Sequence, residues 1–143
     1  MKLEKQVASL ELSRRLKELG VKQKSLCYYN QDLWGDKPCY GAGIEGLKMA
    51  DWMTHEYFSA FTVAELGEML PYQIGKDRFN CHTMRIQNDK GMYLITYEKR
   101  IYQKGESEKD YTEFLASITE RTEADARAKM LIYLLKNNLI TLE

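Results

Sequence analysis

Residues 122–137 read TEADARAKMLIYLLKN, and the rest of the predicted fold is arranged around this stretch. Thr122 can act as the N-cap of a helix, and Asp125, three residues later, completes a variant of the capping box. From Met130 to Leu135 no residue is charged, which predicts that the second half of the helix is buried on nearly every side. The apolar stripe consists of Ala124, Ala128, Leu131, Ile132, Leu135 and Leu139. We therefore expect one long, buried helix in the last part of the chain.

A shorter helix is predicted over residues 9–19. Ser9 can cap its start, and leucines at positions 12, 16 and 19 lie on one side of it. Gly20 follows, a residue type suited to the left-handed turn after a helix. Residues 2–8 nearly continue the leucine stripe and can extend the helix toward the N-terminus.

A second short helix is predicted over residues 61–71. Thr62 and Glu65 have the spacing of a capping box, in which each side chain binds a backbone N–H of the first turn. Pro71 ends the helix, because proline lacks a backbone N–H. Gly67 in the middle of this helix indicates close packing against a neighbouring element.

The remaining apolar stretches are typical of β-strands. Residues 25–29 and 56–59 are short candidates, and residues 78–87 and 92–102 form the arms of a hairpin around an Asn-Asp-Lys-Gly turn. Residues 111–118 fit a helix or a strand, and we favour a strand that leads into the long helix. Residues 30–54 are rich in glycine and turn formers and are predicted to be an irregular loop region.

Length and composition restrict the class of protein. The chain has 143 residues, enough for one domain over residues 1–143, and its 21 basic residues balance 21 acidic ones. This balance gives no net field for nucleic acid or an anionic membrane, so we expect neither as a partner. No apolar run reaches the ~18 residues that cross a bilayer, and the first residues lack the apolar core of a signal peptide. Three cysteines make no disulfide framework, so we expect a cytoplasmic protein with free thiols.

One glycine motif suggests a nucleotide site. Residues 41–46 read GAGIEG, which matches the G-x-G-x-x-G pattern of dinucleotide-binding loops. That motif binds pyrophosphate only between a strand and a helix of a βαβ unit. The preceding Asp-Lys-Pro and the lack of a predicted helix favour a surface loop here, so we predict no cofactor.

Cysteine and histidine are the side chains that suit a metal site or a nucleophile. They are Cys27, Cys39, Cys81, His55 and His82. Their spacing contains no C-x-x-C or H-x-x-x-H pair of the kind found in closed zinc sites, so no metal is predicted. A Cys–His nucleophile pair would meet in space and not in sequence, and nothing beyond the residue types indicates one. No catalytic residue is therefore assigned.

Aromatic residues are concentrated around the glycine-rich region. Tyr28, Tyr29, Trp34, Tyr40 and Trp52 are the candidate binding residues. One interpretation is packing between sheet and helices. The other is an exposed surface for a partner, because Tyr and Trp are favoured anchors of protein interfaces.

Three blocks of the sequence together resemble a known family. They are SLELSRRLKELGVKQKSL (9–26), SAFTVAELGEML followed by proline (59–71), and TEADARAKMLIYLLKNNLI (122–140). They are similar to an uncharacterised family of small proteins encoded in bacteriophage and prophage genomes. The resemblance implies phage origin and expression in the host cytoplasm, and it supplies no activity or catalytic residue.

The sequence therefore predicts an α+β protein in which an antiparallel sheet of about four strands packs against about three helices. The predicted function is that of a non-enzymatic phage accessory protein that binds a host or phage protein, and a homodimer is possible. The alternative is a small-ligand or nucleotide-binding protein, or a small enzyme, with a pocket near residues 28–58.

Overall fold

The chain combines helices with two antiparallel sheets. A computed structural model describes residues 1–41, 56–77, 80–102 and 110–142, which contain four helices and seven strands. The helices are α1 (Leu10–Glu18), α2 (Gln31–Trp34), α3 (Val63–Met69) and α4 (Glu123–Lys136), and Leu3–Lys5 form a 3-10 turn. The strands are β1 (Cys27–Tyr29), β2 (Cys39–Tyr40), β3 (Phe58–Ser59), β4 (Gln73–Gly75), β5 (Cys81–Asp89), β6 (Met92–Ile101) and β7 (Tyr111–Glu120). The predicted α+β class is confirmed.

Helix α4 is the centre of the main core, as its sequence predicts. The Thr122 hydroxyl accepts a hydrogen bond from the Asp125 N–H at 3.1 Å. Asp125 does not return this bond, because its carboxylate accepts from the backbone N–H of Ser9 at 2.8 Å and so holds the start of α1 against the start of α4. The fully buried residues of α4 include Ala124, Ala126, Ala128, Met130, Leu131 and Leu134. Leu135 was predicted in the buried stripe but is only partly buried, because Leu134 takes the inner position.

The larger sheet has the strand order β4-β5-β6-β7 and packs one face against α4. Ile95 and Tyr97 of β6 are fully buried on this face, and Thr96 between them is buried as well. Lys90 and Gly91 both have positive φ (51° and 80°) and form the two-residue turn between β5 and β6. Residues 111–120 form a strand, so the preferred interpretation of this ambiguous stretch is also confirmed.

Helices α1 and α3 cover the other side of α4. The capping box of Thr62 and Glu65 is present in full. A Cβ on Gly67 would lie 2.9 Å from a guanidinium nitrogen of Arg127, which confirms the predicted close packing. The predicted extension of α1 through residues 2–8 is wrong. Val7 instead forms a β-bridge with Thr62, and this pairing holds the segment extended.

A smaller three-stranded sheet, not predicted from the sequence, has the order β2-β1-β3. Its short strands form a second apolar cluster of Val7, Cys27, Tyr29, Phe58 and Ala60. The predicted loop region at 30–54 begins with α2 and β2, and residues 42–54 of it lie outside the described residues.

Candidate functional site

The two adjacent tyrosines of β1 are both buried. Tyr28 and Tyr29 expose 7% and 3% of their surfaces, although neighbouring residues of a strand point to opposite faces. The Tyr29 hydroxyl donates to the Ala8 carbonyl at 2.9 Å, and the Tyr28 hydroxyl accepts from the Ser25 N–H at 3.0 Å. These side chains therefore support the small sheet and do not belong to an exposed surface, which corrects the expectation for this pair.

The glycine motif begins directly over one of these rings. A Cβ on Gly41 would lie 2.8 Å from a ring carbon of Tyr28, so a side chain here would displace the ring. The Gly41 N–H donates to the Leu26 carbonyl at 2.8 Å and continues the pairing of β1 with β2. Close packing accounts for this first glycine, and the rest of the motif (42–46) lies outside the described residues.

Exposed apolar side chains surround this pair of strands. Leu26 exposes 66% of its surface and Tyr40 exposes 56%; Leu33 of α2 is also exposed. Trp34 is half-buried at the end of α2. Of the predicted binding residues, Tyr40 and Trp34 thus reach the surface. Trp52 lies outside the described residues.

Two cations lie over one aromatic ring where α1 meets β3. The Arg14 guanidinium carbon is 5.4 Å from the centre of the Phe58 ring, and the Lys17 Nζ is 4.9 Å from it. Lys17 also donates to the Tyr57 carbonyl at 2.9 Å. These contacts attach the small sheet to the main core through cation–π attraction. Arg14, Lys17 and Phe58 also line a shallow cavity of about 490 Å³, together with Glu18 and Glu56.

Neither Cys27 nor Cys39 forms a nucleophile pair with the described histidine, because both belong to the small sheet. Cys27 is buried in the small sheet, where burial raises its thiol pKa to about 11, with a smaller contribution from the Glu65 charge. Such a thiol stays protonated and unreactive near neutral pH. Burial also raises the pKa of Cys39. His82 belongs to the other sheet and lies 3.3 Å from a carboxylate oxygen of Glu113. His55 lies outside the described residues.

The first half of β7 is an exposed surface that was not predicted from the sequence as a candidate binding site. Residues 111–114 are all exposed, and Phe114 shows 57% of its surface to solvent. Tyr111 is exposed in the same strand, and Tyr102 just beyond β6 is exposed as well. The sequence pattern of residues 111–118 indicated a strand. It did not show that this strand is the last one in its sheet, and an outer position contributes to the exposure of its side chains.

Two further cavities lie away from the predicted pocket region. The first has a volume of about 500 Å³ and lies between the ends of α1 and α3 and the C-terminal residues, lined by Val21, Met69, Pro71, Ile140 and Leu142 among others. The second, of about 430 Å³, lies at the starts of α3 and α4. Neither includes a residue between 28 and 58, the stretch where the alternative function expects a pocket.

None of the helices in the described ranges is both long and apolar enough to cross a bilayer. The same ranges contain no group of three or more His, Cys, Asp or Glu side chains placed to hold a metal ion. No protein-family model, curated protein or solved structure matches the chain.

Proposed function

We propose that this protein is a non-enzymatic accessory protein of phage or prophage origin that binds a host or phage protein in the host cytoplasm. The observation that carries the binding role is the exposure of Leu26, Leu33 and Tyr40 around the outer strand of the small sheet. Tyrosine is enriched in the energetically important positions of protein interfaces, since it combines a large apolar area with a hydroxyl group. The half-buried Trp34 adds a second anchor of this type.

The support beneath this surface favours a preformed binding face. Tyr40 lies opposite Cys27 in the β1–β2 pair, and β1 is itself paired with β3. The buried hydroxyls of Tyr28 and Tyr29 fix β1 against its neighbours. A rigid support reduces the ordering entropy lost on binding, so an exposed tyrosine on it contributes more to affinity.

Phage origin is supported by the three sequence blocks that resemble a phage and prophage family. Their positions in the fold are informative, because the blocks contain α1, α3 and α4 in turn. These three helices share one core. What the resemblance covers is therefore the scaffold, and of the partner-binding residues proposed above, Leu33, Trp34 and Tyr40 lie outside the blocks and Leu26 lies at the end of the first.

Site-specific photo-crosslinking tests the binding role. Benzoylphenylalanine is placed at position 40 or, as a control, at position 72, where Tyr72 is comparably exposed (67%) beside the other sheet. Each protein is irradiated in a lysate of the bacterial host, and the products are identified by mass spectrometry. The proposal expects one protein linked through position 40 and not through position 72.

Affinity for the purified partner then decides the matter. Tyr40→Ala is expected to weaken binding at least about tenfold, which is typical of an interface anchor, whereas Tyr72→Ala leaves affinity within about twofold. Equal effects of the two variants would contradict the assignment of this surface.

The alternative function has one observation in its favour. The shallow cavity beside Phe58 contains Arg14 and Lys17, two cations suited to an anionic small molecule. Thermal-shift measurements with nucleotides and other phosphates test it directly. Stabilisation by such a ligand that is lost in Arg14→Gln, with no protein crosslinked through position 40, would replace the binding-module proposal.

A further inference from the structure

Among the described residues, strand β7 is the last strand at one edge of the larger sheet. The strand order places it last, and in the described ranges its only strand partner is β6. Protein sheets usually protect such an edge with lysine, proline or a very short strand. β7 is ten residues long, and its sequence YTEFLASITE contains no Lys, Arg or Pro. This edge has a bulge and two glutamates but neither lysine nor proline, and at ten residues it is long enough to pair with another strand.

A bulge divides β7 into two matching halves. Tyr97 pairs with Ala116 and Glu98 pairs with Phe114, so Leu115 has no partner in the ladder with β6. The strand consequently has nine pairing positions. Four precede Ala116 (111–114) and four follow it (117–120). Ala116 is thus the centre of the strand, and a two-fold axis through it would pair the whole strand with itself.

We propose that the strand added to this edge is β7 of a second copy of the chain, antiparallel and centred on Ala116. A two-fold axis perpendicular to the sheet keeps each face of one copy continuous with the same face of the other. The two four-stranded sheets then form one sheet of eight strands, with both copies of α4 on the same side.

The side chains that this register brings together are compatible. Thr112 lies opposite Thr119 of the second copy, a pair that is favourable across antiparallel strands. Phe114 lies opposite Ser117. The remaining pairs place Glu113 opposite Ile118, Tyr111 opposite Glu120 and Asp110 opposite Arg121. No acid faces another acid, and a pair of opposite charge lies at each end.

The neighbouring registers are less favourable. Moving the axis to Ser117 places Glu113 opposite Glu120 and reduces the pairing from nine positions to seven. Moving it to Glu113 places that carboxylate opposite its own copy. Like charges directly opposite one another destabilise a strand pair. An axis at Phe114 avoids acid pairs but also loses two of the nine positions.

Two double variants test both the dimer and its register. Thr112→Glu/Thr119→Glu places two glutamates opposite each other at both ends of the proposed pair, whereas Thr112→Glu/Thr119→Lys places a glutamate opposite a lysine. Both threonines are exposed, and within one chain they pair with Arg100 and Leu94 of β6, so the fold tolerates these changes. Circular dichroism and thermal unfolding establish that each variant is folded.

Sedimentation velocity over a range of concentrations measures the dissociation constant of the dimer for each protein. The wild-type chain is expected to dimerise, the Glu/Glu variant to dissociate about tenfold more readily, and the Glu/Lys variant to match or exceed the wild type. A monomeric wild type at several hundred micromolar overturns the proposal. So does a dimer that both variants weaken equally, or that neither changes, because the pairing would then not bring Thr112 opposite Thr119.

Discussion

The Glu65 carboxylate joins two elements, and replacing it should loosen both of them. It accepts hydrogen bonds from the Thr62 N–H at 2.8 Å and the Thr62 hydroxyl at 2.9 Å, which form part of the cap of α3. It also accepts from the Ser25 hydroxyl and the Leu26 N–H, each at 2.9 Å, just before β1. The Ser25 hydroxyl in turn accepts from the Cys27 N–H. One side chain thus links the start of α3 to the start of the small sheet.

The magnitude for Glu65→Ala follows from these four bonds. Loss of an N-terminal cap costs about 0.5–2 kcal/mol, and each remaining hydrogen bond contributes about 0.5–1.5 kcal/mol. Water can replace the carboxylate at the exposed Leu26 N–H, so that bond contributes least. We expect a total loss of about 2–3 kcal/mol in the free energy of unfolding. Glu65→Gln keeps one acceptor oxygen and should lose about 1 kcal/mol.

Urea unfolding followed by circular dichroism measures this loss. With an m-value of about 1–3 kcal/mol/M, Glu65→Ala should lower the midpoint by about 1–2 M without changing m. Glu68→Ala is the matched control, because Glu68 belongs to the same helix and is exposed, and its effect should stay within about 0.5 kcal/mol. A double-mutant cycle with Ser25→Ala isolates the link to the small sheet, with an expected coupling of at least about 0.5 kcal/mol. If Glu65→Ala and Glu68→Ala prove equal, or if the cycle is additive, Glu65 does not join the elements as described.

Three further changes have outcomes that the structure fixes. Gly75→Ala should lower the free energy of unfolding by about 2–4 kcal/mol, because the φ of Gly75 is +148° and a Cβ there would lie 2.7 Å from a Cα at the start of β5. Gly91→Ala should lower it by only about 1–2 kcal/mol, because a Cβ at Gly91 (φ +80°) would point into open space. Urea unfolding measures both losses. Leu131→Ala should lower the free energy of unfolding by about 2–5 kcal/mol, because Leu131 is fully buried. Leu135→Ala should lower it clearly less, because Leu135 is only partly buried. Equal losses would contradict the assigned buried face of α4. The raised pKa of Cys27 stabilises the folded state fully below about pH 9, and this stabilisation should disappear as pH rises toward about 11. In Cys27→Ala the free energy of unfolding should therefore fall less steeply with pH between about pH 9 and 11. The same slope in the variant and the wild type would refute the raised pKa of Cys27.

Helices α1, α3 and α4 could be predicted from the sequence because their signals are local. Thr62 and Glu65 stand three residues apart, and Thr122 precedes the first turn of α4, so each cap is visible within one turn of chain. Gly67 revealed a close contact for the same reason, since a glycine in a helix interior needs a packing explanation. What no local pattern could supply was the partner, which proved to be Arg127, 60 positions along the chain.

The small sheet could not be predicted because its pairings are distant and short. β1 pairs with β3 across about 30 residues of chain, through only two pairs, Tyr28–Ser59 and Tyr29–Phe58. A two-residue strand shows no alternation, so its sequence does not distinguish it from loop. The burial of Tyr28 and Tyr29 was not predicted because the small sheet that contains them was not predicted. β1 is the central strand, and Tyr28 and Tyr29 on its opposite faces are both buried, whereas one sequence interpretation placed them on an exposed surface.

Exposed and buried aromatic rings differ in part by their position within a sheet. The buried rings of Tyr28, Tyr29 and Tyr97 belong to strands with a neighbour on each side. The exposed rings of Tyr40 and Phe114 belong to β2 and β7, each at one edge of its sheet, whereas Phe58 of the edge strand β3 is buried. An outer strand offers both unpaired backbone groups and a side chain that only one neighbour covers. In this fold the places suited to a partner and to a second copy are therefore different edges, so dimer formation through β7 would leave the face around Tyr40 free to bind.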